Sequence, residues 1–101
     1  MADDRDLWER IRGGDAGAFD AFYRANAARL FAYLRQLVQS HEAAEELMQE
    51  SFAQIWQSPN GFRPELGSLR GYLFGIGRKQ AKERPLILDD VRRDDGEAIR
   101  A

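Results

Sequence analysis

The sequence predicts an all-α fold, a small helical bundle of about four helices. Three observations carry that prediction. Apolar residues recur at steps of three and four through most of the first 84 residues. No run alternates apolar and polar residues as a half-buried strand would. Glycine, serine and proline punctuate the chain at positions that leave segments of helical length between them.

The first helix is expected from about Asp4 to Arg12, capped by Asp3 or Asp4, with Leu7, Trp8 and Ile11 on one apolar face. Gly13, Gly14 and Asp15 end it and start the next, Asp15 serving as N-cap. The second is expected from about Ala16 to Gln39. Its buried stripe comprises Phe19, Phe22, Tyr23, Leu30, Tyr33, Leu34 and Leu37. The third runs from about His41 to Gln57 behind Ser40 as cap, with Leu47, Met48, Phe52, Ile55 and Trp56 toward the core. Glu46, Gln49, Glu50 and Ala53 lie at i, i+3, i+4 and i+7, a separate polar stripe. The segment SPNGFRPELG then breaks helical structure, and at about ten residues it exceeds a usual connection. A fourth helix follows Ser68 as N-cap and ends at Pro85, which lacks a backbone donor. Leu69, Tyr72, Leu73, Ile76 and Gln80 form its core face, and Phe74, Arg78 and Lys82 another line at steps of four. Residues 1–84 thus read as one domain and 85–101 as a linker or tail.

Composition narrows the function. Cysteine is absent and His41 is the single histidine, so thiolate zinc sites and disulfides are excluded and no metal or other cofactor is expected. The N-terminus has no apolar signal core and no run approaches membrane-spanning length. A cytoplasmic chain without membrane contact is the simplest reading. Nothing resembles a phosphate-cradling glycine loop or a catalytic constellation, so a non-enzyme is expected.

Net charge is −2, but it is unevenly distributed. Residues 41–57 carry Glu42, Glu45, Glu46 and Glu50 and no base, and no Lys or Arg follows these acids at i+4. Residues 67–84 carry Arg70, Arg78, Lys79, Lys82 and Arg84 against Glu83. An acidic helix followed by a basic one points to two differently charged partners. A solvated face alone would also explain the acids, since they favour a helix N-terminus. Gly71, Gly75 and Gly77 weaken the basic helix by up to ~1 kcal/mol each. Close packing on another helix explains one or two of them. Close approach of a base or phosphate is the other reading. With Phe62 and Arg63 in the preceding loop, the combination reads as a nucleic-acid surface: cations neutralise phosphates, an exposed aromatic stacks on a base, and an irregular loop makes a pocket for an extruded one.

The segments GDAGAFDAFYRANAARLFAYLRQLV, AAEELMQESFAQIW and FRPELGSLRGYLFGIGRKQA, in this order and spacing, resemble region 2 of the extracytoplasmic-function sigma factors over roughly residues 5–84. The run Glu-Leu-Met-Gln-Glu-Ser-Phe, ending at Trp56, is the most specific match. The resemblance implies a sigma region 2 bundle that binds core RNA polymerase and recognises and melts the promoter −10 element during transcription initiation. It implies that Glu46, Gln49 and Glu50, with Glu45 and Ala53 at the margin, dock on the clamp helices of the largest polymerase subunit. It implies that Phe62, Arg63, Pro64, Glu65 and Ser68 hold a flipped base of the non-template strand. Arg70, Phe74, Arg78, Lys79 and Lys82 would supply the remaining DNA contacts. An anti-sigma factor is a further partner of such a domain. Lys79 stands where many relatives have asparagine; lysine donates hydrogen bonds but cannot accept them. Pro85 stops the last helix earlier than in many relatives, and the family's second domain, a helix-turn-helix, is not in the sequence. The chain therefore reads either as a piece of a longer one or as an unusual short form, and the tail, resembling a linker toward that domain, favours the piece. The competing class is a helical interaction module that binds polymerase or a regulator but no DNA.

Overall fold

The computed structural model describes residues 4–58 and 60–83. They form helices α1 (Asp4–Arg12), α2 (Ala16–Leu37), α3 (His41–Gln57) and α4 (Leu69–Glu83), with a 3-10 turn at Pro64–Leu66 inside the long loop. The predicted stop at Pro85 and the tail 85–101, including Leu86, Ile87 and Leu88, lie outside the described residues.

The boundaries follow from caps. Asp15 accepts from the backbone N–H of Ala18 at 3.0 Å. That bond, and the Arg10 guanidinium at 3.1 Å, hold the Asp15 carboxyl below its ordinary value. Gly14 turns the chain between α1 and α2 at φ +91°, a conformation suited to glycine. Ser40 caps α3 by accepting from Ala43 N–H at 3.1 Å, and Ser68 caps α4 by accepting from Gly71 N–H at 2.9 Å. A second acceptor reaches α4 from far along the chain: Asp4 takes the Leu69 N–H at 2.8 Å, tying the start of α1 to the start of α4. Asp4 thus caps α4, while also opening α1.

α2 ends two residues before the expected Gln39. Val38 is extended at φ −126°, ψ 150°, and its side chain is fully buried. Its N–H still reaches the Leu34 carbonyl, and its own carbonyl accepts from Arg35. Leu37, expected in the apolar stripe, is instead exposed, because Val38 fills the core where the helix stops.

The short α2–α3 connection makes an antiparallel hairpin, bringing Phe31 against His41 and Phe19 against Trp56. α4 packs across both, running along α2 in the same direction so that Asn26 meets Arg70 and the Leu30–Leu34 turn meets Gly77. The core is built from Leu30, Leu34, Leu47, Ile55, Leu69 and Leu73, all fully buried. Phe22 and Phe52 extend it, with Tyr23 tilted on Phe52 at 4.6 Å. Burial of these side chains is the main stabilising term, at about 1.5–3 kcal/mol each.

Candidate functional site

Two surfaces carry the residues singled out from sequence. The first is the loop 58–68 with the adjoining face of α4. Loop residues Gly61, Phe62, Arg63, Leu66, Gly67 and Ser68 and helix residues Gly71 and Tyr72 surround a cavity of about 440 Å³. Phe62, expected to be an exposed stacking platform, is buried at 6% exposure. Its ring meets Trp8 of α1 edge-on at 5.4 Å and Tyr72 of α4 at 5.5 Å. Aromatic packing therefore anchors the loop on two helices, and Phe62 lines the cavity from beneath. The sequence alone could not reveal this: Trp8 and Tyr72 lie 54 residues before and ten residues after it.

The anchorage explains Gly61, where a Cβ would collide with the Tyr72 hydroxyl. Pro64 is half-buried, and Arg63 and Glu65 are exposed on either side of it. Arg63 closes the 3-10 turn through its carbonyl, which accepts from Leu66 N–H at 2.9 Å, so its side chain is not engaged in capping. Leu66 is 77% exposed, a large apolar side chain at the cavity lip. Ser68 is exposed; its oxygen is engaged by Gly71 N–H, which leaves its hydroxyl proton to donate.

On α4 itself, Arg70, Arg78, Lys79 and Lys82 are all exposed. Among the described residues, no carboxylate pairs with Arg78, Lys79 or Lys82. Arg70 donates from Nε to the Asn26 side-chain oxygen at 2.7 Å. Phe74 is half-buried, tilted on Tyr33 at 5.3 Å, so only part of its ring faces outward. The three glycines divide. Gly77 is buried, and a Cβ there would lie 3.3 Å from Leu30, Leu34 and Ser51; it lets α4 approach α2 and α3. Gly71 and Gly75 are exposed, and a Cβ at Gly75 would meet nothing within 4 Å. The interior of the bundle gives no reason for Gly75.

The second surface lies on α3. Glu45, Glu46, Gln49 and Glu50 are exposed and Ala53 is half-buried, in a line along the helix. Beside it Trp56, expected in the core, is 40% exposed. Its ring leans on Phe19 at 4.9 Å, and with Phe19, Tyr23, Gln49 and Ala53 it lines a cleft of about 340 Å³ between α2 and α3. Trp56 lies in the last turn of α3 with its ring turned toward α2, and part of the indole is left uncovered. The acidic stripe is thus bordered by an apolar step.

A polar seam joins the two surfaces. Gln80 of α4 donates to the Gln54 side-chain oxygen at 3.0 Å, and Ser51, buried beside it, donates to the Leu47 carbonyl at 2.7 Å. Gln80 was expected on the core side, and it is half-buried there as a hydrogen-bonding residue. Two residues escaped the sequence reading: Asp4 as the cap of α4, and Asn26 as the partner of Arg70. Asn26 left a signal, an amide midway between Phe22 and Leu30 on the buried face of α2. Among the described residues no cluster of three or more metal-ligating side chains occurs, and no helix is long and apolar enough to cross a membrane.

The family model for Sigma-70 region 2 matches residues 22–95. Over 78 residues, 77% of the chain, it is 28% identical to the ECF RNA polymerase sigma factor SigK of Mycolicibacterium vanbaalenii, of which it covers 40%. It is 26% identical over the same length to the SigK of Mycobacterium bovis BCG, covering 42% of it, and 24% identical to that of Mycobacterium sp. strain KMS, covering 40%. The chain therefore spans about two fifths of the length of these curated relatives. No solved structure matches.

Proposed function

Because the chain belongs to the sigma-70 region 2 family, we propose that it is the part of an extracytoplasmic-function sigma factor that docks on core RNA polymerase and recognises and opens the promoter −10 element. One observation carries the DNA half of this reading. A cavity at the loop opens at the start of a helix that carries exposed cations, and the loop is held on that helix by the packing of Phe62 against Trp8 and Tyr72. The cavity, at about 440 Å³, has room for a single extruded base with Phe62 and Tyr72 as aromatic walls and Arg63 and Ser68 as polar groups at its rim. Arg78, Lys79 and Lys82 then neutralise backbone phosphates along α4, and the exposed Gly75 lets the strand lie close to the helix backbone.

Docking belongs to the α3 stripe. Glu46, Gln49 and Glu50 meet the clamp helices of the largest polymerase subunit, with Glu45 and Ala53 at the edge and Trp56 as an apolar anchor beside them. Charged groups at such a contact steer association and fix register, while a partly exposed tryptophan beside a cleft supplies buried area.

Two sets of substitutions test the DNA assignment, each measured in the presence of core enzyme on a −10-containing single strand. Arg78→Ala, Lys79→Ala and Lys82→Ala are expected to weaken binding to every sequence alike and to flatten the salt dependence by roughly 0.7 for each phosphate no longer neutralised. Arg63→Ala and Tyr72→Ala are expected to change preference for one base and leave the slope nearly intact. Identical, sequence-independent defects in both sets would remove the base pocket. No effect of either set would favour a helical module that binds polymerase or an anti-sigma factor but no DNA.

A further inference from the structure

Among the described residues, Asn26 and Ser51 are the buried polar side chains. Ser51 is satisfied within its own helix by the Leu47 carbonyl. Asn26 is not satisfied by α2 alone. Its Nδ2 donates to the Phe22 carbonyl at 3.0 Å, which consumes one donor and leaves the side-chain oxygen facing α4. Among the described residues, the group that serves that oxygen is Arg70, whose Nε approaches to 2.7 Å. The amide orientation is fixed from both sides, because the carbonyl accepts only and the guanidinium donates only. Asn26 is 3% exposed, so the oxygen has little water to replace Arg70. Leaving it without a donor would be costly, and this demand is what holds the arginine.

Arg70 itself is exposed. With Nε engaged, its two terminal nitrogens keep four N–H groups in one plane, the arrangement that grips two oxygens of a phosphate. Arg70 and Asn26 also line a recess of about 370 Å³ with Leu7, Phe22, Ser68 and Asp4, whose carboxylate is engaged by the Leu69 N–H. Ser68 borders the loop cavity as well, so the recess lies next to it. We propose that Asn26 is a positioning residue: it fixes the guanidinium plane of Arg70 so that Arg70 clamps a backbone phosphate of the strand whose base enters the loop cavity. The inference rests on the DNA-binding reading above. It adds that a core residue of α2 sets the phosphate contact, and that an immobilised guanidinium, rather than a charge alone, is required there.

The test is a double-mutant cycle on the full chain. Binding to a short single-stranded DNA of randomised sequence is measured across a range of salt for the parent, Asn26→Ala, Arg70→Ala and the double variant. Arg70→Ala is expected to weaken binding and to lower the salt slope by about 0.7. Asn26→Ala, which removes no charge, is expected to weaken binding several-fold, up to roughly tenfold, the scale of one ordinary hydrogen bond. The double variant is expected to be no weaker than Arg70→Ala. A purely structural role for Asn26 would lower the melting temperature but leave affinity for DNA unmoved or additive with Arg70→Ala, and either outcome overturns the proposal. Arg70→Lys gives a second route should Asn26→Ala fail to fold. Lysine keeps the charge but has no Nε to be held, so it is expected to reproduce the weakening. Full affinity in Arg70→Lys overturns the clasp. A parent chain without salt-dependent DNA binding overturns the DNA reading and this inference together, whereas unchanged binding by the variants overturns this inference alone.

Discussion

Gly75 and Gly77 sit two residues apart on α4 and meet opposite surroundings. A methyl at Gly75 projects into open space, so Gly75→Ala is expected to stabilise the fold by about 0.5–1 kcal/mol, the gain of alanine over glycine inside a helix. A methyl at Gly77 comes within 3.3 Å of two fully buried leucines and the buried Ser51 hydroxyl, so Gly77→Ala is expected to lower the melting temperature despite the same propensity gain. Thermal melts of the two variants check this: Gly75→Ala above the parent, Gly77→Ala below. If DNA lies against α4 as proposed, Gly75→Ala also weakens DNA binding while it stabilises the domain, an opposition that a packing role would not produce. Asp15 gives a pH-dependent counterpart. Its cap to Ala18 and its contact with Arg10 lower the folded-state carboxyl pKa from the ordinary 3.8. The stability it contributes is therefore present above that value and is lost as pH falls through the folded one. Asp15→Asn keeps an acceptor for the cap but does not titrate. The stability gap between the parent and Asp15→Asn is expected to be constant near neutrality and to shrink below the ordinary carboxylate range, read by denaturant titration at a series of pH values.

At the scale of elements, α3 divides its labour by face. Ala43, Ala44, Leu47, Met48, Ser51, Phe52 and Ile55 are buried, and the acidic line opposite them is exposed. Glu46→Lys with Glu50→Lys is expected to abolish binding to polymerase core while the helical circular-dichroism signal and melting transition persist. Unchanged core affinity would remove the docking role. Trp56→Ala separates the apolar from the charged contribution. Because the indole is 40% exposed and rests on Phe19, the variant is expected to lose roughly 2 kcal/mol of fold stability, part of the burial of a large side chain together with one aromatic pair. Its loss of core affinity is expected to survive high salt, where the contribution of the glutamates is screened.

For the whole molecule, charge is segregated by element rather than by sum. The net charge of −2 conceals a stretch of α3 with four acids and no base and an α4 region whose cations are solvent-facing. If the chain binds DNA as proposed, this segregation repels the nucleic acid over part of the surface and attracts it over another, and so orients it. Single-stranded non-template DNA is expected to bind more tightly than the matching duplex, since the duplex must first be unpaired and unstacked. Core enzyme is expected to raise both affinities by holding the domain against the strand. Equal affinity for single strand and duplex would count against the opening function.

Every helix of the bundle was legible in the sequence, and for local reasons. Apolar spacing marks the buried stripe of each helix, and Asp15, Ser40 and Ser68 mark three starts with acceptors placed to take the first free N–H groups. The acidic stripe and the basic helix were legible too, because charge is a property of residues and helical spacing places it on a face. What the sequence left undecided depends on which distant residues meet. Phe62 became the floor of a cavity because Trp8 and Tyr72 close on it from two helices. Trp56 stayed partly exposed because its ring turns toward Phe19 at the open cleft between α2 and α3, and Leu37 turned outward because Val38 took its place in the core. Asn26 and Arg70 are 44 residues apart, as Asp4 and Leu69 are 65, and only the packing of α4 onto α1 and α2 brings them together. Helix propensity and charge act over a turn or two of chain, whereas burial and side-chain pairing are decided by the approach of whole helices.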